Sequence, residues 1–347
     1  MMNVKEFFTA STGEQAKLYT LTNGAGFEVD VTDWGGTLVS LRTPDRNGAV
    51  TDVLLGYKNP GDYEANGPYL GALIGRFANR IPKGRFTLDG KVYELELNDN
   101  GRPNTLHGGK SYAHRLWKAE ILDDSALKLS LLSPDGDAGF PGNLNVEVTY
   151  RVTAANELEI SYRAETDAPT MVNLTNHAYF NLNGEPALEC KDHVVTSCCT
   201  GHTEVNDVLA PTGRTLPVEG SAYDLRNGRS FDEIYADPAL PIAFDDNFVI
   251  APEAGTFRKN VFSVVSRRTG ITLEVDTDQP GMQFYMGYWL NGTCVGKCGG
   301  KYVRFAGFCL ETQLWPDSTN QVGFPNPVLR PGETYTHKTV YRFGVEK

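Results

Sequence analysis

Hydrophobic and polar positions alternate along most of this chain. In Phe27–Val31 the side chains alternate between apolar and polar, which is the period of a β-strand with one buried face. The same period predicts strands in six further segments, namely Arg85–Leu97, Leu127–Leu132, Leu144–Val152, Leu158–Ala164, Ile271–Asp276 and Thr339–Val345. Asp89 and Gly90 interrupt the first of these, and an Asp-Gly pair between two apolar runs predicts a hairpin turn.

Helical periodicity is scarce, and only Phe231–Ile234 predicts a short helical turn. The 36 glycines and 19 prolines supply many chain reversals. The sequence contains no repeat of 20 to 50 residues and no linker-like change of composition, so neither a propeller nor a multidomain chain is indicated. The pattern predicts an all-β fold, a large antiparallel β-sandwich that forms one domain over residues 1–347.

Composition and net charge indicate which kinds of molecule the protein is expected to bind. Hydrophobic residues make up 40% of the chain and the formal net charge is -11, so a large core is available while polyanionic partners such as nucleic acids and anionic membranes are disfavoured. The N-terminus has no apolar run typical of a signal peptide, and no segment has the roughly 20 apolar residues of a membrane span. We therefore expect a cytoplasmic protein.

The six cysteines are expected to be reduced thiols in such a protein. Cys294 and Cys298 have no second matching pair, which argues against a zinc site.

A row of hydrogen-bonding side chains surrounds one histidine in Met171–Leu182. If this segment is a strand, its apolar face consists of Val172, Leu174, Asn176, Ala178, Phe180 and Leu182. The opposite face then carries Asn173, Thr175, His177, Tyr179 and Asn181. This second face is either a ligand-binding surface or a solvated outer face with an ordinary surface histidine.

A single carboxylate stands out in Phe308–Trp315. Glu311 shares a strand face with Cys309, Gln313 and Trp315. In these partly apolar surroundings, desolvation raises a carboxyl pKa towards the range that suits a general base. The alternative is a rim glutamate beside a tryptophan that only packs.

Two more segments carry candidate ligand-binding groups. His107 precedes two glycines, whose backbone can approach a ligand closely, although a plain turn with a surface histidine fits equally well. Arg76, Asn79, Arg80 and Lys83 lie close together in the sequence. They suit sugar hydroxyls, a phosphate group or solvent.

Asp245 and Asn247 share a strand face that points away from the phenylalanines on either side, and Gln279 precedes a proline. Capping or turn roles remain open for all three.

The chain has no GxGxxG before a helix, no Walker loop, no GxSxG and no HExxH. These absences count against nucleotide-dependent enzymes, serine hydrolases and zinc proteases.

Taken together, these segments resemble the galactose mutarotase (aldose 1-epimerase) family. The segments that carry the resemblance occur in the expected order over nearly the whole chain, namely Gly75–Ile81, Leu106–Gly109, Ser133–Gly142, Asn173–Leu182, Gly307–Gln313 and Leu329–Tyr335. The resemblance implies the supersandwich fold and an enzyme that interconverts the α and β anomers of free hexoses such as galactose and glucose. It implies no cofactor and no metal, and we expect a monomer or a weak dimer.

The resemblance also assigns roles to individual residues. It implies that His177 is the general acid on the ring oxygen, that Glu311 is the general base for the C1 hydroxyl, and that His107 is a second active-site histidine that positions the sugar. The residues expected to bind sugar hydroxyls are Asn79, Arg80, Asp245 and Gln279.

The sequence departs from the family pattern in two places. A second acid, Asp246, follows Asp245, so either could face the sugar, and the face shared with Asn247 favours Asp245. The stretch from Cys294 to Arg304 is also unusual and is a candidate for reshaping the rim of the site.

This chemistry requires Glu311 ionised and His177 protonated at the start, so that each stabilises the charge of the other. Three alternatives stay open at this point. They are a hexose-6-phosphate epimerase that uses Arg76, Arg80 and Lys83 for phosphate, a non-enzymatic carbohydrate-binding module, and a retaining glycosidase, for which Glu311 and Asp245 are the available carboxylates.

Overall fold

Three large antiparallel sheets make up most of the molecule. The computed structural model describes residues 2–109 and 112–346. The first sheet, in spatial order, contains Asn3–Thr9, Gln15–Thr22, Glu28–Thr32, Leu38–Pro44 and Val50–Asp52. The second contains Lys118–Asp123, Ala126–Ser133, Leu144–Val152, Glu157–Thr166, Tyr335–Val345, Ile271–Thr277, Arg258–Ser266, His193–Ser197 and Arg229–Ser230. The third contains Pro211–Pro217, Gly201–Val205, Asp245–Val249, Gly281–Tyr285 and Cys309–Gln313.

Small two-stranded sheets and short helices join the large sheets. The strand pairs are Asn104–Leu106 with Arg80–Pro82, Thr170–Met171 with Val328–Leu329, Thr175–Asn176 with Leu73–Ile74, and Arg85–Leu88 with Lys91–Glu94. The α-helix is Phe231–Tyr235, and the 3₁₀ turns are Pro60–Tyr63, Tyr112–His114, Asp137–Gly139 and Glu185–Ala187. Among the described residues no helix combines the length and apolar character needed to cross a membrane.

The predicted all-β sandwich is confirmed. The strand predicted at Leu144–Val152 has the observed bounds, and along it apolar side chains are buried at every second position. The predicted hairpin at Asp89 and Gly90 joins Arg85–Leu88 to Lys91–Glu94, so the second strand ends three residues earlier than expected. The predicted helical turn at Phe231 is present and begins with a capping box from Ser230 and Glu233.

One continuous hydrophobic core joins the three sheets. It contains Val29 of the first sheet, Val148 of the second and Phe284 of the third. Burying an apolar side chain of this size contributes about 1.5–3 kcal/mol relative to leaving it exposed. The core therefore supplies the rigid support on which the polar groups at the sheet edges are held.

The segment Met171–Leu182 differs from the alternating strand that its sequence predicts. Only Thr170–Met171 and Thr175–Asn176 form strands, each two residues long. Both sets of alternating side chains are buried, because the segment runs between sheets and bridges to Phe77, Leu54 and Phe308. The solvated outer face that the sequence left open is therefore excluded, and His177 lies inside the molecule, 5% exposed.

Candidate active site

A cavity of about 330 Å³ opens at the edge of the third sheet. Its lining brings together residues that are far apart in the sequence. All the predicted site residues except Gln279 line it, namely Asn79, Arg80, His107, His177, Asp245 and Glu311. Six of the seven predicted site residues therefore share one cavity.

The register of the third sheet positions two of these carboxylates. Glu311 lies opposite Gln283 on the neighbouring strand, and Asp245 lies opposite Tyr285. The amide of Gln283 donates a hydrogen bond to Asp245 Oδ1 at 2.9 Å. Strand pairing thus fixes the separation of the two acids without any flexible loop between them.

His177 and Glu311 meet directly inside the cavity. The distance from His177 Nε2 to Glu311 Oε1 is 3.7 Å. On the other side of the ring, Nδ1 lies 3.5 Å from the thiol of Cys309, and the imidazole stacks on Tyr179 with centroids 5.0 Å apart. The imidazole is therefore held at one edge by Cys309 and on one face by Tyr179, and it presents Nε2 to the carboxyl group.

Burial favours a neutral His177–Glu311 pair over the charged pair that the sequence analysis expected. Desolvation lowers the pKa of His177 to about 4. Desolvation, with the nearby charge of Asp245, raises the pKa of Glu311 well above its ordinary value, and Arg80 opposes this shift. Burial thus favours neutral His177 and protonated Glu311. This arrangement holds the same single proton as the ionised Glu311 and protonated His177 that the sequence analysis required.

His107 is locked to Asn79 by two reciprocal bonds. Its amide donates to the Asn79 carbonyl at 3.0 Å, and the Asn79 amide donates to His107 Nδ1 at 3.3 Å. Both residues have left-handed backbones, with φ of 55° and 63°, a conformation that persists only where the surroundings hold it. The adjacent Gly108 is needed because a Cβ there would lie 2.5 Å from the amide nitrogen of Arg76.

The bond to Asn79 also decides what His107 can do chemically. Since Nδ1 accepts a hydrogen bond, the ring proton sits on Nε2. Desolvation, together with the charges of His177 and Arg80, lowers the pKa of His107 well below its usual value, so the ring stays neutral. Ligand atoms of His107, His177 and Glu311 lie within 4.8 Å of one another. The Nε2 proton suits His107 to donate a hydrogen bond to a ligand oxygen, and it leaves no free ring nitrogen to bind a cation.

Arg80 is held between two carboxylates. Its Nε donates to Asp99 Oδ2 at 2.9 Å, and its Nη2 lies 3.4 Å from Asp245 Oδ2. All three side chains are less than a tenth exposed. Asp99 also accepts a bond from Asn104. The pairing fixes the guanidinium plane, and a buried charge without such partners would be strongly unfavourable.

The structure separates the two adjacent acids. Asp245 lines the cavity, whereas the carboxylate of Asp246 accepts a hydrogen bond from the Tyr223 hydroxyl at 3.3 Å. Burial and the neighbouring charge of Asp245 raise the pKa of Asp246 to about 7. Asp245 is therefore the acid that faces the cavity, as the strand-face pattern predicts.

Gln279 requires a correction, because it lies outside the cavity lining. It precedes the strand Gly281–Tyr285, and its amide donates to Asp278 Oδ1 at 3.2 Å. Gln283, which lies within that strand, is also outside the lining, but it donates a hydrogen bond to Asp245, which lines the cavity. The alternation of Gly281–Tyr285 places Gln283 on the face of Gly281 and Tyr285, and that signal could have identified it.

The basic residues near Gly75 divide between core and surface. Arg76 is 1% exposed, and Lys83 is exposed. The guanidinium of Arg76 donates to backbone carbonyls of Ser133, Pro134, Pro141 and Gly142 and to the hydroxyls of Ser133 and Thr170. Arg76 is thus a structural residue, and Arg80 is the member of this basic group that lines the cavity.

Residues 17–342 match the model of the aldose 1-epimerase family. The chain belongs to the aldose 1-epimerase family. It is 44% identical to galactose mutarotase from Rattus norvegicus over 91% of both chains. Its identity to galactose mutarotase from Homo sapiens is also 44%, over 91% of each chain. It is 36% identical to aldose 1-epimerase from Escherichia coli strain K12 over 97% of this chain and 98% of that protein.

Solved structures agree with the family assignment. The GalM/aldose epimerase homologue from C. elegans superposes with a TM-score of 0.88 at 30% identity, covering 95% of this chain and 99% of that one. Galactose 1-epimerase from Lactobacillus acidophilus NCFM gives a TM-score of 0.85 at 25% identity, with 100% and 99% coverage. The fold of this chain therefore matches these two solved structures over at least 95% of its length.

Proposed function

We propose that this protein interconverts the α and β anomers of free hexoses, with galactose and glucose as its expected substrates. The observation that carries the proposal is the pair His177 and Glu311, 3.7 Å apart in one cavity of about 330 Å³. Ring opening of a hemiacetal needs one group that removes the C1 hydroxyl proton and another that protonates the ring oxygen. A carboxyl group and an imidazole that share one proton meet that requirement.

The proposed reaction moves protons and leaves the composition of the sugar unchanged. The shared proton passes from Glu311 to His177 Nε2, which leaves an ionised carboxylate. Glu311 then takes the C1 hydroxyl proton as His177 gives its proton to the ring oxygen, and the C1–O bond to the ring opens to an aldehyde. After rotation about C1–C2, the reverse transfers close the ring as the other anomer.

The remaining cavity residues are proposed to hold the sugar. His107 donates from Nε2 near the ring oxygen, and Asn79, Arg80 and Asp245 bind hydroxyls. Arg80 supplies fixed donors because two carboxylates align its guanidinium. A substrate held in one orientation keeps its reacting oxygens within reach of both proton carriers.

Polarimetry on freshly dissolved α-galactose tests the proposal, with glucose 6-phosphate as the comparison. We expect the protein to accelerate the change in optical rotation of galactose and to have little effect on the phosphorylated sugar. Both arginines that line the cavity, Arg80 and Arg102, are paired with Asp99, which favours a neutral ligand. A preference for glucose 6-phosphate would replace this proposal with the hexose-6-phosphate epimerase alternative.

Two further expectations stay proposals. A cytoplasmic location is supported by the six cysteines, all of which are free thiols. A monomer or weak dimer, without nucleic acid as partner, is consistent with the net charge of -11. Light scattering of the purified protein would decide the oligomeric state.

A further inference from the structure

One tryptophan at the cavity edge is exposed whereas the other three are buried. Trp289 is 43% exposed, compared with 3%, 2% and 6% for Trp34, Trp117 and Trp315. It lies in the loop that follows the strand Gly281–Tyr285, and it lines the cavity beside Asp245. An indole left in contact with water at the edge of a ligand cavity forgoes hydrophobic stabilisation that a ligand can restore.

Two contacts orient the indole of Trp289, and a third holds its backbone. The backbone amide of Trp289 donates to the Tyr285 hydroxyl at 2.8 Å, and the indole Nε1 donates to Asp245 Oδ2 at 3.2 Å. The guanidinium of Arg102, which belongs to a different loop, lies over the ring at 4.7 Å from its centroid. Trp289 is therefore oriented by a group already placed in the sugar-binding set, whereas a loosely packed rim residue would lack such a bond.

The chemistry of a hexose matches this arrangement. Hydroxyl groups occupy the rim of a pyranose ring, while its axial C–H bonds make an apolar face. Asp245 engages both of its oxygens, since Oδ1 accepts from Gln283 and Oδ2 accepts from Arg80 and Trp289. A sugar hydroxyl bound at Asp245 thus lies next to the indole, whose flat apolar surface suits the C–H face.

We propose that Trp289 is a substrate-binding residue that packs its indole against the apolar face of the sugar, oriented by Asp245 and Arg102. This inference rests on the proposed function, because it takes the ligand of the cavity to be a free hexose. It extends that function by adding the loop of residues 286–293 to the site, a segment to which the sequence analysis assigned no role.

Tryptophan fluorescence and kinetics test the inference with galactose as the probe. The variants are Trp289→Phe and Trp289→Ala, and Trp34→Phe is the matched control because Trp34 packs in a separate cluster with Ala10 and Ala16. We expect galactose to change the emission of the wild type and of Trp34→Phe, and to leave the emission of Trp289→Phe unchanged.

In steady-state polarimetry, we expect Trp289→Ala to raise KM about 10-fold while kcat stays within about 3-fold of the wild type, since a lost uniform binding contact acts on KM. The effect in Trp289→Phe should be smaller, because a ring surface remains. Thermal melts of each variant check that it is folded. We expect the Trp289 variants to fold, because this side chain is exposed and lies outside the core.

The inference is overturned if saturating galactose leaves the wild-type emission unchanged, if Trp289→Phe keeps the full response, or if Trp289→Ala has a KM within twofold of the wild type. Failure of the proposed function would look different. In that case the wild type would not accelerate mutarotation, while the fluorescence titration, which needs no turnover, would still report binding at Trp289.

Discussion

Replacing Glu311 with glutamine separates the charge chemistry of this residue from its shape. The two side chains have nearly the same size, but glutamine cannot take the C1 hydroxyl proton. We expect Glu311→Gln to lower kcat by about 10² to 10⁴, the usual contribution of one positioned proton carrier. At about 1.36 kcal/mol per tenfold change, this corresponds to roughly 2.7–5.4 kcal/mol of lost transition-state stabilisation.

The same substitution should raise the stability of the folded protein, and the size of this gain should depend on pH. Glu311 is 1% exposed, and its Oε2 has no hydrogen-bond partner among the described residues. Because burial raises the pKa of Glu311, the folded protein holds the proton more tightly than the unfolded chain. Wild-type stability therefore falls as pH rises above the unfolded pKa of about 4.3, until the folded pKa is reached.

The glutamine side chain does not titrate, so the variant does not lose stability as the pH rises through this range. The difference in Tm, variant minus wild type, should be near zero around pH 4 and should increase towards neutral pH. Each unit of pKa elevation is worth about 1.4 kcal/mol. For a chain of 347 residues, an unfolding entropy of about 2.1 cal/mol/K per residue makes each kcal/mol worth roughly 1.4 °C in Tm.

Polarimetry gives kcat, and thermal melts from pH 4 to pH 8 give the difference in Tm. Glu219→Gln is a matched control, since the Glu219 side chain is 81% exposed and should change neither quantity. Turnover of Glu311→Gln within tenfold of the wild type would refute the role of Glu311 as base. A Tm difference that does not vary with pH would refute the account of its burial.

Three further variants test other parts of the site and its support. His177→Asn should lower kcat by about 10² to 10⁴ in polarimetry, since it removes the second proton carrier, and near-normal turnover would exclude that role. Gln283→Ala should raise KM several-fold because it removes a bond to Asp245, the carboxylate proposed to bind sugar hydroxyls, whereas Gln279→Ala should leave KM near the wild-type value. The reverse result would restore Gln279 to the site. Arg76→Leu should destabilise the fold by about 3 kcal/mol or more in denaturant melts, since it leaves several buried acceptors unpaired. The surface control Lys83→Ala should change the free energy of unfolding by no more than about 0.5 kcal/mol. Equal effects would contradict the structural role of the buried guanidinium.

Alternating patterns predicted the long strands well, because each has one face in the core and one in contact with water. Leu144–Val152 is the clearest case, with buried and less buried positions in strict alternation. Strands such as Leu73–Ile74 and Thr175–Asn176 carry no such signal, because both of their faces are buried. Their pairing depends on the sheets around them, so the local sequence could not reveal it.

The candidate site was predictable as far as its chemistry was visible in single segments. His177 stands out within a row of hydrogen-bonding side chains and Glu311 within a partly apolar segment, and the structure brings them together. Asp99 was missed because it follows an asparagine in a segment that reads as a turn, and its role arises from its contact with Arg80. Gln283 was missed in favour of Gln279, although the alternation of Gly281–Tyr285 places Gln283 on the same strand face as Tyr285, which lines the cavity.

Exchange NMR on an equilibrated galactose solution tests the central claim most directly, since it follows the α and β anomeric protons while no net reaction occurs. The account predicts exchange cross-peaks between the two anomers in the presence of wild-type protein, and their loss with either Glu311→Gln or His177→Asn. Wild-type protein that produces no cross-peaks above the protein-free solution, or both variants retaining them, would contradict proton transfer by these two groups in a shared cavity.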